Sequence, residues 1–302
     1  MNGIITKQNS PEMIRLMRGR RAAYANAEVW QQLQIAVVVA LPALGAAVGL
    51  ALPEIRPWVA AIALVATLLD VWFLDPMQKT AIKLAARISE IFDCHVLELP
   101  WNEFVVGSKP DPELIETKCA AFKGDEEKLR GWYKPIEIAN APLPLARIIC
   151  QRENLWYNAG LRRRAGEVLA AIAAFVAVTA CILGMVNDLS IAEFVVFLAA
   201  PSSPVIFWAL RERVRQRDAA DALEHVKAAA DRFWKVASSE GCPDAESAAR
   251  SREFQDAIYL RRALSALPLP VIYRVLRPTM ERTMKVGAAD HLRQIGVTVS
   301  LI

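Results

Sequence analysis

The sequence is poor in the residue patterns that build metal sites and disulfide frameworks. It has only three histidines, and no two of them form an HxxxH or HExxH pair. The five cysteines are scattered, never share a CxxC spacing, and are odd in number. A disulfide scaffold, a zinc ribbon and a histidine-based metal enzyme are therefore disfavoured, and reduced thiols are expected.

Catalytic signatures are absent as well. The sequence contains no GxSxG nucleophile elbow, no P-loop and no GxGxxG turn. Its acidic residues are dispersed along predicted helices, and no nucleophile–base pair can be recognised among them. The chain is therefore not expected to be an enzyme, although a membrane-anchored enzyme stays an alternative.

Apolar residues are abundant and unevenly distributed. They make up 54% of the 302 residues, and the mean hydropathy is +0.25, whereas soluble domains contain about 45–50% apolar residues. The excess is concentrated in two blocks, residues 31–76 and 166–210. The polar residues before the first block do not resemble a cleaved signal peptide, so the first apolar run is expected to be a retained anchor.

Each apolar block predicts a pair of transmembrane helices. Residues 29–53 and 57–74 form the first pair, and residues 168–187 and 194–210 form the second. About 20 helical residues cross a bilayer core, and only a few residues separate the members of each pair. The pattern predicts two helical hairpins and disfavours the alternative of buried core helices in a soluble protein.

Basic residues lie on one side of these predicted spans. Five precede residue 22, three occupy positions 162–164, and four fall within 211–217, whereas the two hairpin tips hold only Arg56. The positive-inside rule then places both termini and the central segment in the cytosol. Tryptophans at the predicted span ends are typical of an aromatic belt: Trp30, Trp58, Trp72 and Trp208.

The predicted fold class is mainly α: an integral membrane protein with four transmembrane helices in two hairpins and a mostly helical cytosolic module. The predicted segments are a cytosolic N-terminal segment (1–30), hairpin 1 (31–76), a cytosolic loop domain (77–165), hairpin 2 (166–210) and a cytosolic C-terminal helical domain (211–302).

Within the polar segments, helical spacing predicts a helix over 78–92 that continues the second span. Residues 94–114 are predicted to be a loop or short strands, and a helix is predicted to begin at Asp111 with proline in its first position. A further helix over 145–164 is expected to run into the third span.

The C-terminal segment begins with a helix that leaves the fourth span and is expected to end at the glycine and proline at 241 and 243. Another helix is predicted over 254–267, where prolines stop it. The pattern then predicts a short segment over 271–276 and a separate last helix from about 279.

Two polar features lie inside the predicted spans. Asp70 is either an intramembrane carboxylate in a conduction path or helix contact, or a residue near the cytosolic interface that reaches water. The Pro-Ser-Ser-Pro stretch at 201–204 frees backbone carbonyls and is expected to kink the fourth span.

Arginines accompanied by aromatic and amide side chains stand out in the cytosolic segments. Arginine forks match phosphate oxygens and aromatic faces stack on bases, so these clusters suit a small nucleotide ligand. Plain salt bridges, and contacts of juxtamembrane arginines with anionic lipids, are the alternatives. The candidate ligand-binding residues are Trp132, Tyr133, Arg147, Gln151, Arg152 and Asn154, close to Trp156, together with Tyr259, Arg261, Arg262 and Tyr273.

Four segments resemble the SMODS-associated four-transmembrane effectors, and together they cover nearly the whole chain. They are IITKQNSPEMIRLMRGRRAAYANAE, ISEIFDCHVLELPWNEFVVGSKPDPELI, GWYKPIEIANAPLPLARIICQRENLWYNAGLRRR and FQDAIYLRRALSALPLPVIYRVLR. One departure is Tyr157-Asn158, where the family is expected to carry an aspartate, so no role is assigned there.

The resemblance implies an effector of bacterial antiphage defence of the CBASS type. In such systems a cyclic-nucleotide synthase senses infection, and the effector binds the messenger and permeabilises the inner membrane in abortive infection. It implies a cyclic di- or trinucleotide as activating ligand, no cofactor, the lipid bilayer and the synthase as partners, and no nucleic acid polymer.

A homo-oligomer is expected because four spans cannot readily enclose a wide pore. The alternatives are an ion channel or transporter that no nucleotide controls, a membrane-anchored enzyme, and a structural anchor that recruits a partner.

Overall fold

The computed structural model describes residues 1–300, apart from the side chains at positions 46, 50, 51, 53 and 56. All regular elements in the described residues are helical, which confirms the mainly α prediction. The α-helices are α1 (Ile4–Gln8), α2 (Pro11–Ile35), α3 (Leu41–Ala51), α4 (Arg56–Leu69), α5 (Asp75–Leu97), α6 (Glu103–Val106), α7 (Pro112–Ala120), α8 (Leu143–Val186), α9 (Ile191–Phe194), α10 (Ala200–Glu240), α11 (Asp244–Leu264) and α12 (Pro270–Gln294). Short 3₁₀ turns occupy Pro53–Ile55, Glu127–Leu129 and Ile136–Asn140.

Four helical stretches in the described residues are long and apolar enough to cross a membrane, which confirms the four predicted spans. They are Pro11–Gly49, Pro57–Leu97, Leu143–Val186 and Ile191–Glu240. Large apolar side chains in their apolar parts are exposed, as lipid-facing residues must be. Leu44, Leu64, Phe175, Met185 and Phe207 are each between 65% and 72% exposed.

A π-helical turn interrupts three of the four spans. The turns are Ala36–Ala40, Asp70–Leu74 and Val195–Ala199. A π turn carries one extra residue and loosens the regular ladder of backbone hydrogen bonds, and such turns are frequent at functional sites. The spans are therefore not uniform rods.

Two glycines mark close approaches between neighbouring helices. A Cβ added at Gly45 would lie 2.8 Å from Cγ1 of Val59, and one added at Gly184 would lie 2.7 Å from Cδ2 of Phe194. Small residues allow membrane helices to pack closely. These contacts bring α3 close to α4 and the end of α8 close to α9, and the arrangement in two hairpins stays a prediction.

Asp70 is buried inside this membrane-spanning part of the chain. It is 8% exposed, and its Oδ1 accepts a hydrogen bond from Nε2 of Gln34 at 2.7 Å. The pair joins two spans, because Gln34 belongs to α2 and Asp70 begins the π turn after α4. This geometry favours the interpretation of Asp70 as a helix contact.

The Pro-Ser-Ser-Pro stretch lies in the first turns of α10, with Pro204 inside the helix. Pro204 has no N–H to donate to the carbonyl of Ala200, but the Ser203 hydroxyl donates to that oxygen at 2.9 Å. Ser202 likewise donates to the carbonyl of Leu198 at 2.8 Å. The Ser203 hydroxyl thus replaces the backbone donor that Pro204 removes, and Ser202 bonds the carbonyl one turn before itself.

The chain divides into two compact units. The polar unit comprises Met1–Ala25, Ala81–Arg162 and Ala219–Ile302, and the span unit comprises Asn26–Thr80 and Arg163–Asp218. The chain passes between them four times, each time inside a helix, namely α2, α5, α8 and α10. Three separate polar segments thus form one unit.

The polar unit has one main apolar core. It gathers residues from α2, α5, α8 and α12, including Met17, Phe92, Ile148 and Leu292, each no more than 2% exposed. Burial of such side chains contributes about 1.5–3 kcal/mol each. This core fixes the relative positions of helices that are distant in sequence.

Several predicted helices are confirmed. The helix over 78–92 lies within α5, and the helix over 145–164 lies within α8. Helix α7 begins after Asp111, with Pro112 in its first turn. The helix after the fourth span ends at Glu240, just before the predicted glycine and proline.

The loop predicted over 94–114 is confirmed at 98–102 and 107–111, whereas the alternative of short strands is wrong and helices occupy the other positions. Helix α5 continues to Leu97 because Val96 and Leu97 are buried in the core. It then ends at Glu98, whose φ of 53° is left-handed, shortly before a proline. Helix α6 occupies part of the remainder, and no strand occurs in the described residues.

Two C-terminal boundaries also differ from prediction. Helix α11 begins at Asp244 rather than at 254, since Pro243 precedes it and Asp244 lies at its positive N-terminal end. Helix α12 is one helix over 270–294 with Pro278 inside. Packing on both sides of this proline, by buried Ile272 and Met280, outweighs its missing hydrogen bond.

The Gln34–Asp70 contact gives a test of the span packing. Gln34→Leu removes the donor to Asp70 and should lower stability by roughly 0.6–1.7 kcal/mol, the scale of hydrogen bonds between membrane helices. Unfolding by SDS titration in mixed micelles would measure it. Thr67→Val is the control, because the exposed Thr67 hydroxyl bonds only its own helix; equal effects would contradict the pairing.

Candidate ligand site in the polar unit

All ten predicted ligand-binding residues fall in the polar unit. The structure does not bring them together at one place. Some belong to a buried ionic network, Trp132 lies beside a stacked arginine, and Arg152 lines a cavity outside the network.

The buried ionic network joins α5 to α11. Glu90 and Asp93 lie three residues apart on α5 and are at most 1% exposed. Arg252 of α11 donates from Nη2 to Oε1 of Glu90 at 2.5 Å. Gln255 donates from Nε2 to Oε2 of Glu90 at 2.8 Å and to Oδ2 of Asp93 at 3.0 Å. Arg262 donates from Nη1 to the same Asp93 oxygen at 2.5 Å.

Three other predicted residues extend this network or lie close to it. The Tyr133 hydroxyl donates to Oδ1 of Asp93 at 2.7 Å. Gln151 donates from Nε2 to the backbone carbonyl of Ser251 at 2.7 Å. Arg147 donates from Nε to the carbonyl of Leu97 at 2.7 Å and from Nη1 to a carboxylate oxygen of α11 at 2.6 Å.

Charge and burial explain how these groups are held. Burial raises the pKa of the Tyr133 hydroxyl well above its usual range, and the neighbouring Asp93 carboxylate adds to the effect. Burial opposes the charge on Arg262, but Asp93 outweighs it and raises the pKa of Arg262. Tyr133 therefore stays a neutral donor and Arg262 a charged one, and both acids of α5 have hydrogen-bond donors inside the network.

Sequence reasoning missed Glu90, Asp93, Arg252 and Gln255. A signal was present, since Asp93 lies on the same helical face as Ile82, eleven residues earlier, inside an apolar stripe. An acidic residue on such a stripe requires a buried partner.

Arg20 forms a stacked arrangement with aromatic side chains. Its guanidinium carbon lies 4.1 Å from the ring centroid of Trp132 and 5.4 Å from that of Tyr24. Its Nε donates to the Ser89 hydroxyl at 3.0 Å. Burial lowers the pKa of Arg20, and the charge of nearby Arg262 acts in the same direction. The sequence marks Arg20 only as a basic flank of the first span.

Arg152 lies outside the network and lines a separate cavity of about 260 Å³. Its Nε donates to Oδ1 of Asp231 at 2.5 Å, and Asp231 also accepts from Lys227 at 2.9 Å. Nη1 of Arg152 would lie 3.8 Å from a Cβ added at Gly287, which also lines the cavity. The other lining residues are Glu153, Trp156, Thr283, Met284 and Val286.

Glu153 is an unusual member of this cavity wall. It is 3% exposed, and its Oε1 is enclosed without a hydrogen-bond partner. Burial raises the pKa of the Glu153 carboxyl well above its usual range, although the charge of Arg152 opposes this. Glu153 and Trp156 are three residues apart on α8, so they share a helical face.

The remaining predicted residues do not line this cavity. Asn154 accepts a hydrogen bond from Asn158 at 2.6 Å, and the buried Tyr259 hydroxyl donates to the carbonyl of Val106 at 3.3 Å. Arg261 is exposed. Tyr273 is half-buried, with the Arg277 guanidinium 5.8 Å from its ring centroid. Their roles as ligand contacts stay predictions.

A larger cavity of about 370 Å³ lies beside Tyr133, Lys134 and Lys285. It contains one predicted residue, and the hydroxyl of that residue is occupied by Asp93. The smaller cavity combines an arginine, which suits a phosphate, with a tryptophan, which suits the face of a base. We therefore take the Arg152 cavity as the candidate ligand site.

A single match to a known family covers the span unit and nearly all of the polar unit. The model of the family described as the SMODS-associating 4TM effector domain matches residues 2–291. The chain is also 24% identical over 274 residues to a protein of Bacillus cereus strain VD146 named "Probable CBASS effector molecule", covering 88% of this chain and 90% of that protein. No solved structure matches the chain.

The ionic network predicts a large effect of Asp93→Ala on folding. This change leaves Arg262 buried without its carboxylate and should destabilise the protein by about 3–5 kcal/mol. Thermal unfolding in detergent would measure the loss. As a control, Glu253→Ala removes the exposed Arg250–Glu253 pair and should have little effect. Similar losses in both variants would show that the network is not special.

Proposed function

We propose, because the chain belongs to the SMODS-associating 4TM effector family, that a cyclic oligonucleotide activates it and that the activated protein permeabilises the inner membrane. The family and the Bacillus relative support the role of an antiphage membrane effector. This family is one of membrane effectors and not a known enzyme class.

The observation that carries the proposal is the path of the chain between its two units. All four passages lie inside helices, so each span continues as a helix into the polar unit. A helix is a hydrogen-bonded rod with a rise of about 1.5 Å per residue, and it transmits a shift along its axis. A ligand that favours one arrangement of the polar unit can therefore bias the spans.

In this mechanism the messenger binds in the Arg152 cavity. It is lined by α8 and α12, and α8 continues from Arg152 into the third span. Closure of the two helices around a phosphate and a base would shift α8 directly. The messenger thus acts on a helix that also belongs to the membrane-spanning part of the protein.

In this mechanism the spans permeabilise the membrane. We infer two hairpins with both termini in the cytosol, because the basic residues flank the spans on one side only. Four spans in one chain are too few for a wide pore, so the active form is a homo-oligomer. The π turns inside three spans are places where helices can change register at low cost.

One observation favours a second candidate, an ion channel that no nucleotide controls. The buried Gln34–Asp70 pair places a carboxylate among the spans, and intramembrane carboxylates often mark ion paths. Such a channel would leak without any messenger. A leak that depends on the messenger would therefore distinguish the effector from the channel.

Reconstitution into liposomes tests the proposed function. We expect dye release after addition of a cyclic di- or trinucleotide, and none from linear nucleotides at the same concentration. Purified protein should bind the active messenger in isothermal titration. Leak that is equal with and without messenger would support the channel, and absence of both leak and binding would refute the proposal.

Gly287 offers a matched pair of cavity variants. Gly287→Leu fills the cavity and should abolish messenger binding and leak. Gly287→Ala places a Cβ 3.8 Å from Arg152, an ordinary contact, and improves helix propensity by about 1 kcal/mol. The alanine variant should therefore stay responsive and equally or more stable. Equal responses of the two variants would exclude this cavity.

Alanine variants of Arg152 and Arg261 distinguish messenger binding in the cavity from binding at the protein surface. Arg152→Ala should weaken messenger binding by about ten-fold or more, because a charge-assisted hydrogen bond contributes about 1.5–3 kcal/mol. Arg261→Ala should change affinity little, since Arg261 is exposed and does not line the cavity. Unchanged affinity in Arg152→Ala would remove Arg152 from the site.

A further inference from the structure

The turn between α11 and α12, residues 265–269, lies beside the part of α8 that leaves the polar unit. Helix α11 runs alongside α8 in the same direction. Near the start of both helices the Ser247 hydroxyl donates to the carbonyl of Pro144 at 3.1 Å. Just after the end of α11, Nη1 of Arg162 donates to the carbonyl of Ala266 at 2.8 Å. The turn is therefore held at the level of Arg162 along α8.

Helix α12 returns from this turn in the opposite direction. A Cβ added at Gly160 would lie 2.9 Å from Cε of Met280, and one added at Gly287 would lie 3.8 Å from Nη1 of Arg152. Later residues of α12 thus lie beside earlier residues of α8. Because α11 approaches the turn and α12 leaves it, the turn is the part of this helix pair that reaches farthest along α8.

The position of the turn along α8 brings it near the membrane surface. Arg162 is the last residue of α8 that belongs to the polar unit, and the predicted third span begins at residue 168. Six residues of α-helix cover about 9 Å. The headgroup layer on each side of a bilayer core is about 5–8 Å thick. The turn therefore lies within reach of the lipid headgroups.

Large apolar side chains are exposed on both sides of the turn. Leu264 at the end of α11 is 76% exposed. Val271 and Val275, one helical turn apart on α12, are 65% and 71% exposed. These fractions are as high as those of the lipid-facing side chains in the spans. A group of exposed apolar side chains of this kind marks a surface that binds a membrane or another protein.

The charges around the turn favour an anionic surface. Residues 257–280 contain four arginines and no acidic residue. The side chains of Arg261 and Arg274 are exposed, and their guanidinium groups make no hydrogen bond or ion pair with any residue that the structure describes. A two-fold contact between copies of this basic surface would bring like charges together, which is unfavourable. A lipid surface that carries phosphates matches both the apolar and the basic side chains.

We propose that the α11–α12 corner docks onto the surface of the membrane that the spans cross. The corner comprises Arg261, Leu264, residues 265–269, Val271, Arg274 and Val275. Its apolar side chains enter the boundary between headgroups and acyl chains, and its two arginines bind lipid phosphates. Docking needs no messenger, so this inference goes beyond the proposed function.

Spin labels on single cysteines test the docking in the full-length protein. The background carries Cys181→Ala and Cys242→Ser, because the three other cysteines are buried. Labels are attached to Leu264→Cys and to Val271→Cys. Val286→Cys is the matched control, since Val286 is also an exposed valine of α12 but lies about 22 Å farther along the helix.

The measurement compares collisions of each label with oxygen, which concentrates in lipid, and with a nickel chelate, which stays in water. Each lipid nanodisc contains phosphatidylglycerol and one protein chain, so no second copy is present. We expect oxygen to dominate at positions 264 and 271 and the nickel chelate to dominate at 286.

Two outcomes would overturn the docking. Dominance of the nickel chelate at position 264 or 271 would place the corner in water. Protection of either label from both reagents would show that protein covers it. Neither outcome affects the proposed function, because the measurement requires neither messenger nor leak.

The lipid charge tests the two arginines. Phosphatidylcholine in place of phosphatidylglycerol should shift the label at 271 towards the nickel chelate, and so should Arg261→Gln combined with Arg274→Gln in phosphatidylglycerol. Arg282→Gln, at an exposed arginine farther along α12, is the control and should leave the label in place. No shift in either case, or an equal shift in the control, would overturn the phosphate contacts.

Discussion

The polar unit depends on the match between two buried acids of α5 and the basic face of α11. Glu90 accepts a hydrogen bond from Arg252, and Asp93 accepts hydrogen bonds from Arg262 and the Tyr133 hydroxyl. Buried charges are tolerable only when every partner is present, because each uncompensated ion costs several kcal/mol. This requirement holds together segments separated by more than 160 positions, and it sets where the C-terminal helices lie within their unit.

The hydrogen bonds of this network determine which polar side chains of the unit remain available to bind a ligand. Tyr133, Gln151 and Arg262 are committed to internal hydrogen bonds, so they stabilise the fold. On α8, the residue after Gln151 belongs to a different environment, and Arg152 and Glu153 line a cavity. One helix therefore belongs to the network, the cavity and the third span, and this sharing supports the proposal that a messenger is coupled to the membrane through α8.

Local patterns in the sequence were sufficient for the broad architecture. Twenty apolar residues in a row predict a span whatever the remainder of the chain does, because backbone groups in lipid must bond within the helix. The start of α7 at Asp111 and Pro112 was likewise readable from adjacent residues. Predictions were wrong where packing prevailed over local signals, as in α12, which continues through Pro278 between buried Ile272 and Met280.

The sequence by itself determined the helical class, the four spans and the family, since each rests on composition or on short motifs. Only the tertiary structure decided what each arginine does. Arg152 and Arg262 have the same chemistry and each pairs with an aspartate, yet Arg152 lines a cavity beside Asp231 and Arg262 is held inside the buried network by Asp93. These aspartates lie 79 and 169 positions from their arginines, and partners at such distances are set by packing of the whole unit.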